Sequence, residues 1–467
     1  MKISPQFTPK LDPGFVPAAL WNRAYAKAVA RTPDSRDVTL AIRRPDATCW
    51  HHHTKLLPHK PEFTIDNWRY TERLAKFLLW ALGGNELYVA GAPELAEQLS
   101  AYYATSDLGC FDHNFLGDTV FGKTFEVIAC SREALPKESK IAKELGRNLD
   151  GYRIGFDLGG SDRKCAALIN GEVVHSEEIK WAPYFEKEPY YHVAGIRDTL
   201  ERAAKHLPRV DAIGGSAAGI YIDNEVRVAS LFRGIEKDDF EKSVRPIFKE
   251  LAKEWNVPMD IANDGDVTAL AGAISLNENG VLGISMGTSL AAGYIDEHGH
   301  ITGAINELAF APVDYREDAP ADEWSGDRGC GVQYFSQQAV GRLIPNSGIE
   351  VPADLALPEK LEIVQEKMIR GDERAAAIYE TIGTYFGYSI AHYAEHYTFK
   401  HLLVLGRVSS GAGGEIINEQ AKQVLKSEFP ELAEKIKLQT PDEKMKRHGQ
   451  AVAAASLPPI PVRQKVY

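Results

Sequence analysis

From residue 151 onward, short apolar runs alternate with glycine turns. YRIGFD (152–157) has strand length and ends in Asp157-Leu158-Gly159-Gly160-Ser161. A second run, KCAALI (164–169), is followed by Asn170-Gly171, the strongest two-residue hairpin signal, and then by EVVHSEE. The pattern predicts strand, glycine turn, strand, tight hairpin, strand. HVAGIRDTLERAAKHL (192–207) reads as a helix, and VDAIGG (210–215) as the next apolar run.

The pattern recurs. GVLGIS (280–285) is a short β-run, Met286-Gly287-Thr288-Ser289 a small-residue turn, and LAAGYID (290–296) a second strand that passes through EHGH into ITGAI. Two glycine–hydroxyl hairpins about 130 residues apart suggest a duplicated lobe. Between them, MDIANDGDVTALAGAI (259–274) is a β-run ending at Asn263-Asp264, followed by an Ala-rich helix. Asp266 is its better N-cap candidate, with Asp264 able to share that role. HLLVLGRVSSGAGGEIINEQAKQVL (401–425) reads as a buried strand, a Gly/Ser loop and a helix.

Residues 1–150 begin with a Pro-rich arm and continue as mixed α/β. Helices are expected over Asn67–Leu82, Pro93–Tyr103 and Lys137–Leu145, and strands over 85–91 and 121–130. Composition separates this third from the rest. It holds 19 Lys/Arg against 18 Asp/Glu and four of the seven tryptophans, whereas residues 151–467 hold 34 against 47. The acidity of the chain, −12 overall, therefore belongs to the later two-thirds. That balance argues against nucleic acid as a main partner. Five scattered cysteines without CxxC pairing suggest a reducing compartment. The first 15 residues lack the apolar run of a signal peptide, and no stretch of about 18 apolar residues occurs, so a cytoplasmic protein without membrane association is expected. Cys49-Trp50-His51-His52-His53 invites a metal reading, but neighbouring residues of a strand alternate faces and three consecutive histidines rarely converge on one ion.

The two glycine turns admit phosphate chemistry. Gly159-Gly160-Ser161 and Gly287-Thr288 let backbone N–H groups approach phosphate oxygens without an intervening side chain. Asp157, at a strand end beside the first turn, is placed to hold Mg²⁺, through water, next to such phosphates. No GxxxxGK[ST] sequence is present. Asp264, also at a strand end, can accept a hydroxyl proton during phosphoryl transfer, and Asn263 can fix the same acceptor molecule.

In this order DLGGSD (157–162), NDGD (263–266), GTS (287–289) and LGRVSSGAGG (405–414) resemble the phosphate motifs, catalytic aspartate and adenosine loop of the sugar-kinase/Hsp70/actin superfamily. Within it the resemblance is to the ROK family, supported by INELAFAPVD (305–314), similar to the sugar-binding GExGH segment, and GDRGCGVQYFS (326–336), similar to the end of the zinc motif CxCGxxGCxE. The resemblance covers residues 151 to about 456. It implies an α/β, two-lobed ribonuclease H-like (actin/hexokinase-type) ATPase fold with an extra N-terminal α/β domain. The implied division is 1–150, a small lobe 151–265 and a large lobe 266–467, with a C-terminal helix able to return to the small lobe.

The function it implies is ATP-dependent phosphorylation of a hexose or related sugar, with ATP and Mg²⁺ required. Asp264 would be the general base, Asn263 and Glu307 would hold the sugar, and Gly159, Gly160, Ser161, Gly287 and Thr288 would flank the phosphates. Gly406 and Gly411 would line the adenosine site, and the family also allows a homodimer. The chain departs from the pattern at Phe310, which replaces the zinc-binding and sugar-contacting histidine, at Glu323 and Ser325, which replace two cysteines, at Val332, which replaces a sugar-binding glutamate, and at Arg407, which replaces a loop glycine. A single thiolate, Cys330, cannot build a tetrahedral zinc site, so no structural zinc is expected there. These losses motivate the alternative of a sugar-sensing or regulatory protein without useful kinase activity.

Overall fold

The computed structural model describes residues 1–139, 145–440 and 443–461, and only the backbone of 443–448. Strands β1 (Arg36–Arg43), β2 (Cys49–Leu56), β3 (Glu86–Ala90) and β4 (Glu126–Cys130) form a sheet in the order β2-β1-β3-β4. Strands β5 (Tyr152–Leu158), β6 (Asp162–Ile169), β7 (Glu172–Lys180), β8 (Ala212–Ala217), β9 (Ile220–Ile222), β10 (Glu225–Val228) and β11 (Met259–Asn263) follow. Five of them make a sheet ordered β11-β8-β5-β6-β7, while β9 and β10 pair as a ribbon. Strands β12 (Val281–Met286), β13 (Leu290–Ile295), β14 (His401–Leu405) and β15 (Lys437–Gln439) form the last sheet, ordered β13-β12-β14-β15. No helix among the described residues is long and apolar enough to cross a membrane.

The chain divides into two compact units. One comprises Met1–Ile141, Ile284–Ala292 and Ala304–Gln439; the other comprises Ala142–Gly283, Gly293–Gly303 and Thr440–Tyr467. These units do not follow the boundaries expected near 150 and 265. Residues 1–141 fold together with Ala304–Gln439 because their apolar and charged groups find partners there. Asp12 accepts hydrogen bonds from Arg316 Nη1 (2.7 Å), Arg342 Nη1 (3.0 Å) and Tyr385 Oη (2.7 Å). Phe15 packs against Tyr334 and Tyr385, with ring centres 5.5 and 4.7 Å apart.

Most elements expected in the first third form, as Thr64–Leu82, β3 and Pro93–Thr105. The strand expected over 121–130 is confined to β4, because a wide helical turn runs through Phe115–Phe121 and stops at Gly122, at φ 63°. The helix expected over Lys137–Leu145 lies mostly on residues 140–144, outside the described residues; before them, Ser139 is paired in extended form with Cys49.

In the second unit the hairpin signal is realised. Asn170 and Gly171 both have positive φ, 49° and 85°, as the tight turn between β6 and β7 requires. Strands β5, β6 and β7 run antiparallel, while β5, β8 and β11 are parallel. One face buries Ile154, Phe156, Ile196, Leu200, Ile213 and Phe248. On Gly155 and Gly214 rests the helix Glu443–Ala455, whose Ala451 and Ala454 carbonyl oxygens would lie 1.7 Å from a Cβ at either position. Arg153, fully buried, donates from Nη1 to the carbonyls of Ala455 (3.3 Å) and Pro458 (2.7 Å), satisfying acceptors left free where the helix ends. Gly214→Ala is expected to lower unfolding free energy by about 3 kcal/mol, at the upper end of overpacking costs because the obstacle is backbone. Urea denaturation checks this; a loss below about 0.5 kcal/mol, the range of an ordinary surface substitution, would show that the helix does not lie this close.

Candidate functional site

The carboxylates come from adjacent strand ends. β5 and β8 pair in parallel with Asp157 opposite Ser216, and β8 pairs in parallel with β11, which delivers Asn263 and Asp264 to the same end of the sheet. Asp157 is buried and accepts a hydrogen bond from Ser216 Oγ at 2.7 Å. Burial raises its pKa despite that bond and the charge of Lys164. Asp264 begins the helix Asp264–Leu276. Its pKa is pushed up to about 6, first by burial and then by the negative charge of Asp157. Two carboxylates within electrostatic reach, one held by a hydroxyl and one left basic near neutrality, suit a base and a cation-holding group.

The helix is capped differently from expectation. Asn263, not Asp266, is the N-cap: its Oδ1 accepts from Gly265 N at 2.7 Å, and its Nδ2 donates to Gly219 O at 2.7 Å. The side chain thus uses its oxygen and one of its two N–H donors. Asp266 sits inside the first turn, buried, and accepts from Tyr294 N at 3.0 Å. Position decides the matter, since a cap must precede the first helical residue.

Gly159, Gly160 and Ser161 form the turn between β5 and β6, closed by Gly159 N donating to Asp162 O at 2.8 Å. Trp181 fixes the turn, its Nε1 donating to Gly159 O at 2.7 Å and its backbone N to Ser161 O at 3.1 Å. The Ser161 hydroxyl donates to Asp162 Oδ2 at 2.8 Å. Sequence reasoning did not single out Ser216 or Trp181. Ser216 ends the apolar run of β8 and is identifiable only once the parallel register with β5 is known.

The other unit holds Gly287, Thr288, Glu307, Gly406 and Gly411. Gly287 and Thr288 turn between β12 and β13, with Gly287 N bonded to Ser289 O at 2.9 Å and Gln337 N bonded to Gly287 O at 2.9 Å. The loop after β14 packs on this turn. Val408 N donates to Met286 O at 3.0 Å, and Gly406, at φ 96°, passes so close that a Cβ would lie 2.4 Å from Met286 O. Only glycine fits there. Gly411, also at positive φ, opens the helix Gly411–Glu428. The Arg407 side chain pairs with Glu362 at 2.7 Å on the surface.

Glu307 lies in a segment held by a helix of the N-terminal third. The amides of Asn306 and Glu307 donate to Ala81 O (3.0 Å) and Trp80 O (2.9 Å), at the end of Thr64–Leu82. Three residues on, Phe310 stacks on Trp80, ring centres 4.2 Å apart, with Phe111 and Trp324 against the same ring. Of the remaining zinc-motif positions, Ser325 bonds to Asp322 through Oγ at 2.7 Å, and Cys330 and Val332 are buried. Burial pushes the Cys330 thiol well up, which disfavours a thiolate.

Comparison with known proteins bears on the fold and the family. No match was found among curated proteins. Among solved structures, the ROK hexokinase of Thermus thermophilus is 17% identical, with a TM-score of 0.52 over 65% of this chain and 96% of that one. A protein described as a putative N-acetylmannosamine kinase from Listeria monocytogenes is 14% identical, with a TM-score of 0.50 over 65% of this chain and 97% of that one. A ROK family transcriptional regulator, homologous to the MLC protein of E. coli, is 18% identical, with a TM-score of 0.50 over 66% of this chain and 78% of that one. The fold is the actin/hexokinase type of ATPase fold, with added α/β structure at the N-terminus. Residues 153–456 match the ROK family, and the chain belongs to it.

Proposed function

We propose that this protein is an ATP-dependent sugar kinase that transfers the γ-phosphoryl group of ATP to a hydroxyl of a hexose or related sugar. The observation that carries the reading is Asp264: a carboxylate at a strand end, beside Asp157, with a pKa raised to about 6. Phosphoryl transfer asks little covalent chemistry of a protein and much positioning. Asp264 takes the proton of the attacking hydroxyl, and Asn263 and Glu307 hold the sugar. The turns at Gly159–Ser161 and Gly287–Thr288 offer backbone amides to phosphate oxygens, and the loop carrying Gly406 and Gly411 receives the adenosine.

Asp157 fits a role in holding Mg²⁺ through water. It is a buried carboxylate with one oxygen fixed by Ser216 and further acceptor capacity remaining. Bound Mg²⁺ supplies neutralisation of phosphate charge. Phe310 and Val332 offer no hydrogen bond to a hydroxyl, so the preferred sugar differs from glucose or presents fewer hydroxyls on that side.

A coupled assay for ADP release with Mg·ATP, run over hexoses, amino sugars and polyols, tests the reading. Turnover on at least one sugar is expected. Sugar binding without ADP release on any of them would instead support a sugar-sensing or regulatory protein; the MLC homologue is a transcriptional regulator. The acid limb of the rate profile should also report Asp264. It must be ionised to act, so kcat/KM should rise with pH through a midpoint near 6. Asp157→Asn removes the neighbouring charge and should shift the midpoint of the residual activity to lower pH. A midpoint unmoved by that change would dissociate Asp264 from the limb.

A further inference from the structure

We propose that His392, Glu395 and His396 form a binding site for a divalent transition metal of the zinc class, with His52 placed to complete the coordination. The site lies entirely within the unit containing the N-terminal third. His392 lies in the last turn of the helix Glu373–Tyr393, and Glu395 and His396 follow in the next turn. Spacing of i, i+3 and i+4 turns all three toward one side. One donor atom of each lies within 4.8 Å of the others.

Buried nitrogen atoms without partners supply the second observation. His392 is 1% exposed, and its Nε2 has no hydrogen-bond partner. Both ring nitrogens of His396 are buried and unpartnered. Leaving such atoms unsatisfied is costly, and a neutral imidazole lone pair is well satisfied by a metal.

His52 reaches the same place from β2. Its ring centre is 5.5 Å from that of His396, and both line a cavity of about 420 Å³ together with Glu395. The other two histidines of the run have partners of their own: His51 bonds to Pro136 O at 2.8 Å, and His53, which also lines the cavity, engages Thr39 Oγ1 through Nδ1 at 2.9 Å. Of the three, His52 is the one whose ring meets that of His396. Asn22 Nδ2 donates to Glu395 Oε2 at 3.1 Å, orienting the carboxylate as outer-shell partners of metal ligands do. Two imidazoles and a carboxylate, with a third imidazole adjacent, suit Zn²⁺ better than Mg²⁺ or Ca²⁺, which prefer oxygen ligands.

Another grouping, Cys165, His175 and Glu177, is the natural control. Burial pushes the Cys165 thiol up to about 11, and His175 stacks on His206 at 3.7 Å, so a thiolate ligand is disfavoured there.

Full-length protein stripped with chelator should be titrated with ZnCl₂ by calorimetry, and with Co²⁺ by visible absorption. One equivalent is expected to bind, with the absorption of a nitrogen/oxygen site lacking thiolate charge transfer. His396→Gln should weaken binding by about 100-fold or more, the upper end of what even an outer-shell loss costs. Glu395→Gln, at an exposed position, should weaken it by about 10-fold or more and provides the test if the buried variant fails to fold. Cys165→Ser should leave binding unchanged. Absence of stoichiometric binding, or wild-type affinity in either folded ligand variant, would overturn the proposal.

Discussion

Asp264→Asn is expected to lower kcat on the best sugar by about 10²–10⁴-fold, the usual worth of a positioned general base. Affinity for sugar and nucleotide should change little, since the amide keeps the size and the hydrogen-bonding oxygen of the carboxylate. The same substitution should stabilise the protein. A carboxyl whose folded pKa is near 6 against an unfolded value of 3.8 is bound to its proton more tightly in the native state. Its ionisation therefore costs stability as pH rises from the unfolded value through the folded one. Allowing for solvent at this partly covered group, the gain should be about 1–2 kcal/mol at pH 7.5 and should vanish near pH 4. Thermal unfolding of both proteins across that range gives the stability difference, and steady-state kinetics gives the rate. Equal rates would remove Asp264 from catalysis. A stability gain of the same size at pH 4 would mean that the Asp264 charge is not its source.

The strand-end positions of the candidate site residues were legible in the sequence because they are local. Asp157 with Gly159-Gly160-Ser161, Asn263 with Asp264, and Gly287 with Thr288 each sit where an apolar run meets a turn. A strand end fixes such a residue whatever surrounds it. The hairpin at Asn170-Gly171 was readable for the same reason: positive φ at two successive residues restricts the sequence. What escaped depends on pairing between distant segments. Ser216 becomes a partner of Asp157 only through the parallel register of β5 and β8. The capping role of Asn263 turned on where the first helical residue falls, a matter of one or two positions. The first third was read as mixed α/β, with the helix and two strands over Ala18–Leu56 missed, and not as a partner of residues 304–439. Its contacts there are made by side chains such as Asp12, Lys76 and Trp80, whose partners lie more than 200 residues away or were masked by an uninformative local pattern.

Lys76→Met should be the most damaging single change in the N-terminal third. Lys76 Nζ lies 3.0 Å from Asp112 and 2.9 Å from Asp327, and all three side chains are at most 3% exposed. Arg73 also pairs with Asp327, at 3.1 Å, and Trp80 Nε1 donates to Asp112 at 3.0 Å. Removing the ammonium leaves Asp112 with the indole N–H of Trp80, and Asp327 with Arg73 and the backbone N–H of Arg328 at 2.7 Å. Breaking a buried pair in this way typically costs about 3–5 kcal/mol, because the remaining charge has no solvent to receive it. Burial already raises the pKa of Asp112, and loss of Lys76 raises it further. The deficit should therefore be smaller at pH 5 than at pH 8, where the orphaned carboxylate is fully ionised. Lys76→Met with Asp112→Asn should recover much of the loss, since the two sites share one network. There is also a consequence for catalysis. The helix carrying Lys76 ends in the carbonyls of Trp80 and Ala81 that hold Asn306 and Glu307. Loosening it should raise KM for the sugar while KM for ATP stays near its wild-type value, measured below the lowered unfolding temperature. A loss of under about 1 kcal/mol, independent of pH, would show that this network is solvated rather than buried.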